Sequence, residues 1–182
     1  TFWDRFVVRV APAENNLPYR EASRINIHRD TWGTNLYQQI NWWAPVSNVE
    51  EKNTMIFYPD YFDVPVKNTT STWDLNIYLA NRKKGDFSYP SAPQLKEDLP
   101  SNIKKIPVTI KPGEILCFSG AHLHSSSKEK SENTRISFEI RTICENDLNS
   151  SAQAPNVDCD LQWKFPKIFK KINDNSPLKI TS

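Results

Sequence analysis

The segment Thr134–Ile143 reads TRISFEIRTI and alternates more cleanly than any other stretch of the chain. Arg135, Ser137 and Arg141 fall on one side, and Ile136, Phe138 and Ile140 on the other. Successive side chains of a strand point to opposite faces, so this period of two marks a strand with one polar and one apolar side. The apolar side is expected to pack outward against another layer, while the polar side looks into a site.

Further strand signals surround it. Phe6–Val10 is short and β-branched, and Arg24–Asp30 (RINIHRD) sets Ile25 and Ile27 against Asn26, His28 and Asp30. Gln38–Val46, Thr54–Tyr58, Ile106–Ile110 and Glu114–Ser119 follow, each bounded by Pro, Gly or Asp. Trp73–Leu79 reads as a strand or a short helix, and residues 81–105 as a long loop. Lys164–Lys171 (KFPKIFKK) reads either as a short basic amphipathic helix or as a solvated terminal segment. Short strands between turn clusters, with no long 3.6-residue stripe, predict a mainly β sandwich or barrel.

The chain has 182 residues, enough for a single domain with its own core. Lys and Arg number 23 against 21 Asp and Glu, which speaks against a nucleic-acid partner. No apolar run reaches the length of a membrane span, and no secretory leader opens the chain, so no membrane association is expected. Cys117, Cys144 and Cys159 form no CxxC pair, which points to a reduced, cytoplasmic setting. The first residue is Thr1, which leaves open a fragment or a processed form, with or without a missing N-terminal segment.

Only three histidines occur, and their placement is informative. His28 and Asp30 stand two apart on a predicted strand and so share a face. His122 and His124 follow another strand within Gly120-Ala121-His122-Leu123-His124. Two imidazoles and one carboxylate on a β scaffold are the ligand set of non-haem Fe(II) oxygenases, leaving open positions for a bidentate oxoacid and O₂. Parity does not choose between His122 and His124. Arg135 lies eleven residues after His124, with Ser137 two further on. A planar guanidinium offers a bidentate fork to a carboxylate, and a hydroxyl on the same strand face can share that grip.

The order H-x-D, distal His, then R-x-S resembles the Fe(II)/2-oxoglutarate-dependent dioxygenases. Ile115–Arg141 is most similar to the phytanoyl-CoA hydroxylase branch. His28-Arg29-Asp30-Thr31-Trp32 with Gln39-Ile40-Asn41-Trp42-Trp43 resembles oxygenases of bacterial biosynthetic clusters. The resemblance covers roughly residues 20–145. It implies a double-stranded β-helix (a jelly-roll, cupin-like barrel) with few short helices. Residues 20–145 would be the catalytic core of a single domain 1–182, and 146–182 a C-terminal extension.

On this resemblance His28, Asp30 and His124 would hold Fe(II), His124 being preferred for its interval to Arg135. Binding of metal by both His122 and His124, as in some cupins, stays open. Arg135 and Ser137 would receive the distal carboxylate of the cosubstrate 2-oxoglutarate. Gln39 and Asn41 would bond the oxoacid or substrate, or satisfy backbone groups at the barrel rim. Trp32, Trp43, His122 and Arg141 are candidate substrate contacts, with core packing the competing role for the tryptophans and solvent for Arg141.

The implied reaction consumes O₂ and hydroxylates an unactivated C–H of a small-molecule metabolite. The carboxylate at Asp30 disfavours halogenation, whereas desaturation and epimerisation stay open. Two other readings fit the residues: a cupin enzyme with another metal and no oxoacid, and a non-catalytic carbohydrate-binding β-sandwich. Substrate identity and oligomeric state are not legible.

Overall fold

The computed structural model describes residues 1–13, 25–86, 88–127, 131–150 and 152–180. Arg24, the first residue of one predicted strand, lies outside them. The described chain is mainly β, with nine strands in two antiparallel sheets and three short α-helices.

The large sheet is organised around TRISFEIRTI. Its strands are β1 (Phe2–Trp3), β2 (Val7–Ala11), β3 (Ile40–Pro45), β6 (Leu116–Ser119), β8 (Arg135–Ile143) and β9 (Lys170–Lys171). They run in the order β6-β3-β8-β1-β9, and β2 also pairs with β8. β8 is long enough to carry β3 along one edge and both β1 and β2 along the other. The small sheet has the order β5-β4-β7, from β5 (Ile106–Pro107), β4 (Met55–Phe57) and β7 (His124–Ser126). A bridge between His28 and His124 adds one residue pair at its edge. No closed barrel joins the two sheets among the described residues, so the expected jelly-roll closure is seen only as two facing layers.

Between the layers Trp43 and Phe118 of the large sheet meet Met55 of the small sheet and Val108. Phe57 meets Phe118 edge-on at 5.0 Å between ring centroids. A second cluster gathers Trp32, Tyr58, Trp73 and Leu123 with Cys159 and Leu161. A third places Phe2 and Ile143 with Leu36, Phe169 and Leu178. The segment after residue 145 thus contributes buried apolar side chains to two of the three clusters.

Several local expectations change. Trp73–Leu79 resolves as a helix, α2 (Leu75–Lys83), because the Asp74 carboxylate accepts from the backbone N–H groups of Asn76 and Ile77. Arg82 and Lys83 then complement the carbonyl end. Lys164–Lys171 is no amphipathic helix. Pro166 opens a single 3₁₀ turn, Pro166–Ile168, after which Lys170–Lys171 pairs with β1. Burial of Phe169 on the third cluster favours that extended ending. The predicted strand ending at Asp30 is reduced to its bridge at His28, because Asp30 already turns the chain into α1 (Thr31–Thr34). The remaining helix, α3, spans Glu145–Leu148.

The large sheet mixes polar and apolar side chains on its inner side and leaves apolar ones on its outer side. Arg135 and Ser137 are buried on its inner side, while Val8, Val10, Trp42 and Ile136 are exposed on the outer side. Phe6 stacks on Phe138 at 5.1 Å on that outer face.

Candidate metal centre

His28 and His124 exchange two backbone hydrogen bonds, from His28 N to His124 O at 2.9 Å and from His124 N to His28 O at 3.0 Å. Directly opposed residues of an antiparallel pair project to the same face. Their rings therefore stand together, 4.3 Å apart at the centroids. Asp30 lies two residues after His28, and its carboxylate approaches both rings. His28 Nε2 is 3.7 Å from Oδ1 and His124 Nε2 is 3.6 Å from Oδ2. One ligating atom from each of the three residues lies within 4.8 Å of the others, on the scale of one shared cation.

The tautomers suit that cation. His28 Nδ1 is 2.9 Å from the carbonyl of Asn26, and His124 Nδ1 is 2.9 Å from the carbonyl of His122. A carbonyl only accepts, so each Nδ1 carries the proton and each Nε2 presents a lone pair towards Asp30. Burial and the neighbouring His28 push the His124 imidazole down to about 4, so it is neutral at pH 7. Burial alone would raise the Asp30 carboxyl. The neighbouring His28, with His124 and Arg141 close by, overcomes it and holds the group well below the usual carboxylate range. A neutral imidazole and an ionised carboxylate are the protonation states that bind a divalent ion.

Behind the ligands runs an orienting chain. Asn41 Nδ2 donates to Asp30 Oδ2, Gln39 Nε2 donates to Asn41 Oδ1 at 2.8 Å, and Thr34 Oγ1 donates to Gln39 Oε1 at 3.2 Å. Gln39 fits only because residue 120 is glycine. A Cβ there would lie 2.7 Å from Gln39 Nε2 and 3.5 Å from Asp30 Cβ. Such partners fix the direction of a ligand's lone pairs.

A second buried frame holds the H-x-D segment itself. Arg29, between the two ligands, donates to Asp158 Oδ2 from Nε at 3.1 Å. Its Nη atoms donate to the carbonyls of Ala121, Tyr61, Val64 and Phe62. Trp32 Nε1 donates to the other oxygen of Asp158 at 2.7 Å.

The cavity in front of the triad is walled by Arg9, Trp43, Phe118, Arg135, Glu139 and Arg141, among others. Arg135 lines this cavity and Ser137 follows it on the same strand face; both are buried, and their Nε and Oγ atoms have no hydrogen-bond partner among the described residues. Arg135 lies over the Trp43 ring, 5.6 Å from its centroid. Burial, and then the positive charge of Arg9, lower its pKa to about 10, so it stays charged near neutrality.

The other sequence-derived candidates fall in different places. Asn41 lines the cavity, whereas Gln39 is not part of its lining and lies fully buried, bonded to Asn41 and Thr34. Trp43 lines the cavity, but Trp32 is a core residue with no exposure. His122 is outside the triad. Its ring packs on Phe62 at 4.5 Å and on Phe57, and its Nδ1 meets the carbonyl of Ser119 at 3.2 Å. Arg141 does not point to bulk solvent. Its Nε donates to Asp4 Oδ2 at 2.6 Å, and Nη1 stands 4.0 Å from Asp30 Oδ1.

Sequence reading passed over Arg9, Glu139, Asp4, Asp158 and Gly120. Arg9 had a visible signal, a charge inside the apolar run VVRVA. Asp158 had none, because its partner lies 129 positions away.

No family model matches the chain, and no curated protein matches it. Among solved structures it is similar to EvdO2 from Micromonospora carbonacea var. aurantiaca, with 11% identity over 89% of this chain and 56% of that one, at a TM-score of 0.49. It is similar also to SnoN, a non-haem alpha-ketoglutarate dependent epimerase from nogalamycin biosynthesis, with 14% identity over 78% of this chain and 48% of that one, at 0.45. AviO1 from Streptomyces viridochromogenes Tue57 aligns with 13% identity over 82% of this chain and 50% of that one, at 0.42. At these values the likeness is partial, and the chain spans about half the length of each of these three proteins.

Proposed function

We propose that the chain carries the catalytic centre of an Fe(II)- and 2-oxoglutarate-dependent oxygenase that hydroxylates a small-molecule metabolite. His28, Asp30 and His124 would hold the iron. Arg135 and Ser137 would receive the distal carboxylate of 2-oxoglutarate. Bound iron would supply activation of O₂, coupled to oxidative decarboxylation of the oxoacid. The protein orients the ligands through Asn41 and Gln39, keeps the imidazole lone pairs available, and sets a charged fork beside them.

The observation that carries this reading is the pairing of the triad with buried donors left unmatched. An unpaired buried donor costs about 1–3 kcal/mol, more when charged, and so calls for a ligand that satisfies it. A carboxylate on Arg135 and Ser137 does so. A metal site with no oxoacid leaves both groups without a purpose, which is why the cupin alternative is the weaker one. A carbohydrate-binding sandwich would need no convergence of ionised Asp30 with two Nε2 lone pairs.

Anaerobic addition of Fe(II) and 2-oxoglutarate tests the reading. A weak visible charge-transfer band is expected with the folded wild-type protein and is expected to vanish in His28→Ala and Asp30→Ala. A well-folded wild type that develops no band would refute it.

A further inference from the structure

The cavity holds a charged pair that the proposed function leaves unused. β2 pairs with β8 so that Arg9 stands opposite Ser137, and Val7 opposite Glu139. Arg9, Arg135, Ser137 and Glu139 therefore belong to one inward-facing patch of two neighbouring strands. Arg9 Nη2 reaches Glu139 Oε1 at 2.6 Å. That bond leaves Arg9 Nε buried without a partner among the described residues, as are Arg135 Nε and Ser137 Oγ. Three of the five buried orphan side-chain atoms among the described residues thus lie in this single patch.

Building on the oxygenase reading, we propose that Arg9 is a second guanidinium of the 2-oxoglutarate carboxylate receptor, acting with Arg135 and Ser137, and that Glu139 limits that receptor to one negative charge. Two arginines against one glutamate leave a single positive charge in the patch. Arg141 does not add to it, because Asp4 holds its Nε at 2.6 Å and its backbone N–H at 2.9 Å. A carboxylate brings this balance to zero and offers acceptors to the orphan donors. A dianion such as phosphate would overshoot it and meet the Glu139 carboxylate. Glu139 also holds Arg9 before the ligand arrives, so the guanidinium is positioned without a full loss of side-chain freedom on binding.

Titration calorimetry of Mn(II)-loaded protein with 2-oxoglutarate tests the inference, with Mn(II) affinity measured separately by electron paramagnetic resonance. Arg9→Met is expected to weaken 2-oxoglutarate binding by roughly tenfold to a hundredfold, the range of a lost charged hydrogen bond, with Mn(II) affinity unchanged. Arg9→Lys should fall between it and the wild type. Glu139→Gln should bind 2-oxoglutarate as tightly or tighter and should admit inorganic phosphate as a competitor that the wild type rejects. The double variant R9M/E139Q removes both members of the Arg9–Glu139 pair and strands neither, so it reads the role of Arg9 even if Arg9→Met alone fails to fold. An affinity for 2-oxoglutarate in R9M/E139Q equal to that of Glu139→Gln, together with its loss in Arg135→Met, overturns this inference and leaves the oxygenase reading standing. Wild-type protein that binds Mn(II) but not 2-oxoglutarate overturns both.

Discussion

Arg29 and Arg135 are buried to almost the same degree, 2% and 3% exposed, and differ in every other respect. Arg29 spends all three nitrogens on Asp158 and four carbonyls. Arg135 has an orphaned Nε, a flanking arginine and an aromatic ring beneath it. Burying a charge is costly unless its partners are in place. Arg29 meets that condition within the fold and acts as a frame for the H-x-D segment. Arg135 does not meet it, and the deficit is what a carboxylate ligand would remove. Burial alone therefore separates nothing here, whereas hydrogen-bond satisfaction separates a guanidinium committed to the scaffold from one with a donor left open.

The sharpest way to break this contrast is to remove each guanidinium in turn. Arg29→Met should cost about 3–5 kcal/mol, because it strands the Asp158 carboxylate in the interior. Arg135→Met should change stability by less than about 1 kcal/mol or raise it, since its Nε has no hydrogen-bond partner among the described residues, Met can keep the packing on Trp43, and a desolvated charge disappears. Urea unfolding of both variants measures the difference, and equal destabilisation would erase the distinction.

A smaller effect is expected behind the metal ligands. Gly120→Ala must displace Gln39 and should cost about 1–3 kcal/mol by overpacking, with Mn(II) affinity falling alongside. If stability drops while Mn(II) binding is untouched, the Gln39–Asn41–Asp30 chain does not orient the ligand. Asn41→Ala probes that chain directly. Mn(II) affinity should fall roughly tenfold to a hundredfold, as for other groups that hold a metal ligand in place. The mildest change should come from the outer side of the same sheet. Val8→Thr, at a position 59% exposed, should alter thermal stability by no more than about 0.5 kcal/mol. A large loss there would mean that the apolar outer face contributes to the fold despite its exposure.

The clearest elements in the sequence were those fixed by local periodicity. TRISFEIRTI became β8 with Arg135 and Ser137 inward because period two is a property of the strand itself. QQINWWAPV became β3 for the same reason. The stretch RINIHRD was less clear, since Asp30 serves as the first turn of α1 and only His28 pairs. His28 and Asp30 still converge, because the turn after a single bridge swings the carboxylate towards the two rings. Gln39 misleads for a similar reason. Its alternation with Asn41 is visible, but whether a polar inward side chain reaches a cavity or lies beneath its neighbour depends on packing depth.

By itself the sequence determined the mainly β character, the alternation along β8 and a shortlist of His28, Asp30, His122, His124 and Arg135, all of which follow from residue type and short-range spacing. Tertiary structure decided the rest. It set His124 against His28 while leaving His122 among phenylalanines, paired Arg9 with Glu139, and matched Arg29 with Asp158. Those outcomes depend on strand register and on groups far apart in the chain, and no local pattern encodes which distant partner will stand opposite.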